Sequence, residues 1–455
     1  MAPDDGSLGT GRTGGREATT GVIPGRFALS VGMPDSVPPK GWKWTPLSSV
    51  AQLESGHTPS RRHAEYWDGD IPWVGIRDAT ENHGRTIDDT LQHVTELGLA
   101  NSSARLLPAN TVCLSRTASV GFVIVMGRPM ATSQDFVNWV CGPKLDAHFL
   151  KYVLLAENEA LWRFASGTTH QTIYYPEAKA FHVCLPPIAE QKAIVGLLGS
   201  LDNKIELNRR MDATLEAMAR ALFQSWFVDF DPVRAKLDGS SPADLDPATA
   251  ALFPASFQDS TLGPIPTGWR ATTLGEVIEI LDSRRVPLSG REREIRQGKY
   301  PYHGAASVMD HIDGFLFDGV HVLMGEDGSV INSDGTPVLQ YVWGKFWVNN
   351  HAHVLRGKNE VSTEHLLLHL KNCNIAPFVN GAVQPKLNQG NMNRIAFVSA
   401  PQEICNAFAR AIGPLFAHIR ANSEQSRTLA TLRDTLLPKL LSGELSISTA
   451  AETNP

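Results

Sequence analysis

Few residues in this chain have the types and spacing needed for bond-making chemistry. His351-Ala352-His353 puts two imidazoles on one face of a strand, because side chains alternate with period two. A zinc site needs a third and usually a fourth ligand. No other His or Cys lies at matching spacing, so packing or a polar contact is expected here. Glu326-Asp327 sits inside the Gly-rich stretch Gly325–Ser329 and offers two carboxylates to a cation. Its spacing does not match a calcium loop, and a turn is expected. The five cysteines, Cys113, Cys141, Cys184, Cys373 and Cys405, are odd in number and contain no CxxC pair. Neither a zinc knuckle nor a disulfide framework fits them, and a reducing cytoplasm does.

The chain also lacks a GxxxxGK[ST] phosphate loop and a GxGxxG after a strand. Pro38-Pro39 and Pro186-Pro187 are not followed by an aromatic residue, so neither is similar to the catalytic loop of amino-methyltransferases. Pro34-Asp35 is not followed by an acidic-x-Lys nuclease pair. These readings give no catalytic residue, no metal ligand set and no cofactor held by the chain itself.

What the sequence does contain is a duplication. Gly41-Trp42 returns at Gly268-Trp269, and Gly69-Asp70-Ile71-Pro72-Trp73-Val74-Gly75 at Gly298-Lys299-Tyr300-Pro301-Tyr302-His303-Gly304. Val112-Cys113-Leu114-Ser115 is echoed by Val322-Leu323-Met324-Gly325. From Gly167/Gly381 to Leu222/Leu436 the offset is constant at 214 residues. Units this long are domains rather than solenoid repeats. Short apolar runs such as Val120–Val125 and Phe136–Val140 read as strands, and Asp146–Ala165 has helical spacing echoed at Ser362–Leu370.

The expected division is a disordered tail over 1–38, a mixed α/β globule over 41–186 and a helical region over 187–228. An irregular linker over 229–266, a second α/β globule over 267–399, a helical region over 400–445 and a tail over 446–455 complete it. Gly199-Ser200 and Gly413-Pro414 predict a break in each helical region. A long helix of ~27 residues, hence ~40 Å, is expected to start near Leu201 and near Pro414. Leu201, Ile205, Leu215, Met218 and Leu222 match Leu415, Ile419, Leu429, Leu432 and Leu436 in a heptad-like seam. Its polar gap holds Asn208 and Asn422, which suits a paired coiled coil whose register a buried Asn fixes.

Two similar halves suit a partner with two similar halves, and duplex DNA is the commonest. The net charge of −6 argues against a free-standing DNA binder but allows a local basic groove. Loop side chains able to match base edges or phosphates are the candidates. In the first copy these are Arg61, Arg62, Arg77, Arg116, Thr117, His170 and Gln171. In the second they are Lys299, His303, Gln384, Lys386, Asn388 and Gln389. No apolar run is long enough to span a bilayer.

Several ordered motifs together resemble the specificity subunit of type I restriction-modification systems. They are His57-Thr58-Pro59 through Tyr66-Trp67 to Val74, Tyr300–Ala305, Phe317-Asp318-Gly319 with Gly325–Gly328, and Pro186-Pro187 with Glu190-Gln191. Ser225–Val233 and Leu440-Leu441-Ser442-Gly443-Glu444-Leu445 complete the set. The resemblance covers roughly residues 41–445. It implies an α/β fold with two target-recognition domains separated by two long antiparallel coiled-coil helices, in pseudo-two-fold arrangement. It implies a non-catalytic, cytoplasmic subunit that reads a bipartite double-stranded DNA target in phage defence. The helix seam would be spacer and dock for two modification (methyltransferase) subunits, which two restriction (motor and nuclease) subunits can join. S-adenosylmethionine, ATP and Mg would then sit on those partners. The competing readings are a stand-alone DNA-binding regulator and a single-chain nuclease or methyltransferase with degenerate motifs.

Overall fold

The computed structural model describes residues 21–447, apart from 118, 168–170, 243–244 and 382. Two compact units divide it. One runs to Ile205 and resumes at Arg427; the other is Glu206–Ser426.

In the first unit a five-stranded sheet runs in the order Ala51–Ser55, Phe136–Cys141, Thr111–Ser115, Val123–Met126 and Thr86–Ile87. Its three inner strands are buried on both faces over most of their length, so they read as near-continuous apolar runs rather than an alternation. The two faces feed different cores. Val112, Leu114, Val123, Val125, Val137 and Trp139 enter the main one, while Cys113, Ile124, Met126 and Phe136 enter a smaller one. The strand expected from Val120 begins only at Val123, because Gly121 takes φ +97° and turns the chain.

The helix expected over Asp146–Ala165 is two helices, Ala147–Ala156 and Asn158–Phe164. Asp146 caps the first, its carboxylate accepting from the amides of His148 and Phe149. The break falls at Glu157. Its buried carboxylate accepts from the backbone amides of Arg26 and Phe27 at 2.6 Å, Ala28 at 2.8 Å and Leu29 at 3.3 Å. That clamp corrects the N-terminal reading. Residues 21–38 are not a disordered tail: Ile23–Pro24 and Leu29–Val31 are strands of a four-stranded antiparallel sheet with Phe181–Leu185 and Lys43–Pro46. Residues 1–20 and 448–455, the rest of the expected tails, lie outside the described residues. Replacing Glu157 with Ala would strand several buried amides, at 1–3 kcal/mol for each group left without a partner. Urea denaturation of the full chain is expected to show a loss on the order of 3 kcal/mol for Glu157→Ala. A loss below about 1 kcal/mol would contradict the clamp.

The second unit repeats the plan. Its main sheet is Ile278–Ile280, Ala352–Gly357, His321–Gly325 and Leu339–Val342, all antiparallel. Arg270–Thr273 pairs with Ala396–Ser399, as Lys43–Pro46 pairs with Phe181–Leu185 in the first. Ser362 caps the helix Thr363–Lys371. The linker reading is corrected here. Residues 229–266 hold the helices Asp231–Leu237 and Pro247–Leu252 and a short strand pair. Phe230, Val233, Phe253 and Ile265 bury into the core of this unit.

The long helices are Ile188–Phe223 and Gln402–Leu441, of 36 and 40 residues. At 1.5 Å per residue they measure about 54 and 60 Å. Neither breaks where the sequence suggested. Pro414 removes one amide from the ladder, but Ile412 and Phe416 on either side are buried and hold the helix through. Gln191, itself buried, ties the first helix to the globule: it accepts from the Asp146 amide and donates to the Lys144 and Pro186 carbonyls.

Pairing is antiparallel within each unit. In the first, Asp202 meets Arg433 at 2.9 Å and also accepts from Lys151 and Tyr152. In the second, Asn208 donates to Gln425 and Ser426, Asn422 donates to Asp212, and Phe223 packs on Phe408. Asn208, Ile205 and Ile419 are buried; Leu201, Leu215, Leu222, Leu415, Leu429, Leu436 and Asn422 are half-buried. Met218 and Leu432 leave the seam, being 49% and 45% exposed. Ala219 takes the inward position instead, because a straight helix drifts from a strict heptad.

Candidate nucleic-acid interface

In the first unit the candidate arginines are held rather than loose. The Arg61 guanidinium lies over Trp67 at 4.3 Å and Trp73 at 5.6 Å from the ring centroids and donates to Gln92 at 2.9 Å. Stacking and one hydrogen bond fix the plane of its fork, which is what bidentate recognition of a base edge or phosphate needs. Arg62 follows it in an exposed turn. Arg116 lies over Tyr175 at 5.1 Å and donates to the Gln134 carbonyl at 3.0 Å. Thr117 shares a 2.9 Å hydroxyl contact with Thr172, and the Ile173 amide donates to the Arg116 carbonyl. Gln171 donates back to the Gly167 carbonyl. Arg116, Thr117 and Gln171 therefore gather at one loop cluster. His170 lies outside the described residues. Arg77 stands apart on the helix Ile76–Glu81 and is paired with Glu81 at 2.7 Å.

In the second unit Gln384, Lys386, Asn388 and Gln389 share one exposed loop. Gln384 donates to Asp327 at 2.7 Å and Gln389 to Asp282 at 2.6 Å. Asn388 caps the short helix Gln389–Asn393, accepting from the Asn391 amide. Lys386 is exposed and bridges to Asn380 and Asp327 only through its backbone. Lys299 is exposed on the strand Gln297–His303, over Tyr300. His303 is misplaced by the sequence reading. It is 7% exposed, hydrogen-bonded to Gln340 and edge-on to Phe346. Its ring lies on the face of the strand that Gln340 and Phe346 cover.

Behind the 384–389 loop lies a charged cluster that only part of the sequence reading touched. The Nδ1 of His353 meets Asp282 at 2.6 Å and its Nε2 meets the Leu387 carbonyl at 2.8 Å. Arg285 reaches Glu326 at 2.7 Å and Asp282 at 3.5 Å. The other Asp282 oxygen accepts from the Val354 amide. Burial pushes the Asp282 carboxyl up, but the His353 hydrogen bond and charge outweigh it and hold it below the usual carboxylate range. Asp282, Glu326 and His353 offer ligand atoms close enough for a metal ion. Arg285 already supplies the positive charge there, and both His353 nitrogens are engaged, so the arrangement is that of an ion-pair network. His351 faces Asp327 at 3.8 Å and is no second ligand. Asp282 and Arg285 escaped the sequence reading. Their signal was three charged residues in four, Asp282-Ser283-Arg284-Arg285, just after the strand Ile278–Ile280. Also missed were Arg284 over Phe317, Arg293 over Tyr302 and Arg296 over Trp347.

The cysteine thiols are all pushed up by burial, to about 12 or beyond, which makes them poor nucleophiles. Among the described residues no helix is long and apolar enough to cross a membrane.

The two units are copies of one α/β module, and their loops present arginines and amides held by neighbouring side chains. The model of one family, described as the type I restriction modification DNA specificity domain, matches residues 39–217 and 266–404. The chain belongs to this family and is a DNA specificity subunit of a type I restriction-modification system, a recognition subunit rather than an enzyme in itself.

Relatives agree. The type I restriction enzyme MjaIX specificity subunit of Methanocaldococcus jannaschii is 26% identical over 428 residues, covering 90% of this chain and 94% of the relative. The HindI specificity subunit of Haemophilus influenzae is 26% identical over 387 residues, covering 70% and 84%. The crystal structure of the type I restriction-modification S subunit from M. genitalium has the same fold. It aligns with a TM-score of 0.52 at 17% identity, over 88% of this chain and 96% of that one.

Proposed function

We propose that the chain reads a bipartite duplex DNA sequence, one half with each unit. The reading rests on one observation above all. Gly167–Thr172 and Gly381–Lys386 occupy the same repeat slot, and the described residues in and just after these segments include polar side chains held by hydrogen bonds. Arg61, Arg62, Arg116, Thr117, Gln171 and, by position, His170 serve the first half-site. Lys299, Gln384, Lys386, Asn388 and Gln389 serve the second. Stacked guanidiniums suit guanine edges and Gln or Asn amides suit adenine edges, while Lys386 and Lys299 suit phosphates. Arg77, already paired, contributes little.

The acidic net charge fits a subunit whose phosphate contacts are shared with partners. Two methyltransferase subunits dock along the long helices, where Met218 and Leu432 supply exposed apolar side chains. Two restriction subunits with motor and nuclease activity join them. S-adenosylmethionine, ATP and Mg belong to these partners, and the assembly works in the cytoplasm. Purified alone and given a labelled methyl donor, the chain is expected to transfer no methyl group to DNA. Adding the modification subunit is expected to create adenine methylation that requires S-adenosylmethionine. Turnover by the highly purified single chain would defeat the reading.

A further inference from the structure

Four candidate DNA-reading side chains of the second unit sit on a loop of six residues, 384–389. The contacts that fix this loop lead back to one buried cluster. The Leu387 carbonyl accepts from His353 and its amide donates to the Glu326 carbonyl at 2.9 Å. The Gln389 side chain donates to Asp282, and the Gln384 side chain to Asp327, next to Glu326. The Pro385 carbonyl accepts from the Gly328 amide. Leu387 is buried, while Gln384, Lys386, Asn388 and Gln389 are exposed.

The cluster is tied to the sheet as firmly as to the loop. His353 is a sheet residue opposite Met324. Asp282 accepts from the Val354 amide, and Arg285 donates to the Ala352 carbonyl at 2.7 Å. The side chains of Asp282 and His353 are 5% and 0% exposed, so neither can touch a duplex.

Among the described residues, the first unit shows no histidine–carboxylate pair at the matching place in its sheet. Its residue at the matching register, opposite Leu114, is Val137, which is buried among apolar neighbours. There the loop is held through Thr117–Thr172 and the Arg116 backbone instead.

From this we infer that Asp282, His353, Arg285 and Glu326 are positioning residues for sequence discrimination at the second half-site alone. The inference rests on the recognition reading above. A network of two carboxylates, a guanidinium and an imidazole fixes the amide plane of Gln389 through Asp282. Through the Leu387 carbonyl, held by His353, it also fixes the backbone between Lys386 and Asn388. Loosening it leaves the side chains present but lets them sample wrong bases. A well-placed base contact discriminates by about 1–3 kcal/mol, roughly 5- to 150-fold.

The test uses the full complex with its modification subunits and two near-isosteric variants, Asp282→Asn and Glu326→Gln. Methylation rates are measured on duplexes carrying single-base changes at each specified position. The expected result is a roughly tenfold fall in discrimination at second-half positions, with first-half discrimination unchanged and melting of the chain still cooperative. Glu326→Gln keeps the backbone ties to the loop, so it decides the matter should Asp282→Asn fail to fold. Unchanged discrimination at every position in a folded variant overturns the inference. So does an equal loss at both halves, which is what simple destabilisation would give. A wild-type complex whose methylated motif is not bipartite removes the recognition reading and this inference with it. Unchanged discrimination in an active variant removes the inference alone.

Discussion

Exchanging residues 21–186 for the corresponding segment of another family member is expected to change one half of the methylated sequence and leave the other half intact. The start point matters. The strands Ile23–Pro24 and Leu29–Val31 belong to the sheet that closes the first unit. Their turn is gripped by Glu157. An exchange beginning at residue 41 would mate a foreign Phe181–Leu185 strand and a foreign acid with the native edge strands. That chimera is expected to be poorly folded, with methylation lost at every site. Motif mapping of host DNA distinguishes the two chimeras. If the longer exchange altered both halves, the units would not read independently.

The second large effect is acid sensitivity of the second unit. His365 and His369 lie on one face of the helix Thr363–Lys371 against Phe223, Phe227, Phe397 and Phe408. Burial pushes His365 down to about 3, helped by the nearby His369. Burial likewise pushes His369 down to about 4, partly offset by a backbone hydrogen bond at Ala396.

Both rings are therefore neutral when folded and free to protonate, near pH 6.5, only when unfolded. Their contribution is fully present above that value and is lost as pH falls toward about 4 and about 3. The slope is about 1.4 kcal/mol per pH unit for each ring. Between pH 7 and pH 5 the two together should cost about 4 kcal/mol. Burial shifts His321, in the same unit, in the same direction. Urea denaturation at pH 7 and pH 5 checks this. His365→Leu should remove about half of the difference. Equal stability at the two pH values would contradict the buried, neutral pair.

How far the sequence could be read varies by element. The duplication and the paired helix seam were plain, because matched strands and seams need matched apolar residues; the antiparallel direction was what the family resemblance implied. Strands as short as Ile23–Pro24 and Leu29–Val31 carry no period, and what orders them is Glu157, roughly 130 residues away. Phe230, Val233, Phe253 and Ile265 looked isolated among Pro and Gly, yet each fills the core of the second unit. Gly413-Pro414 is a local stop signal that tertiary packing overrides.

The site was harder, because recognition chemistry is written in side-chain geometry. Loop polarity drew attention to 384–389, but it also promoted His303, whose ring is covered by Gln340 and Phe346. The network behind the loop joins residues 71 and 107 positions apart. Neither spacing nor composition records such a meeting. Arg61 was visible as a charge, while its seat on Trp67 and Trp73 was not.

The most direct measurement is the adenine methylome of a host with and without this gene, its modification subunit being present in both. The account predicts a methylated motif in two specified halves separated by unspecified bases, present only when the gene is intact. Identical methylation in the two strains, or a gene-dependent motif that is one uninterrupted block, would contradict it.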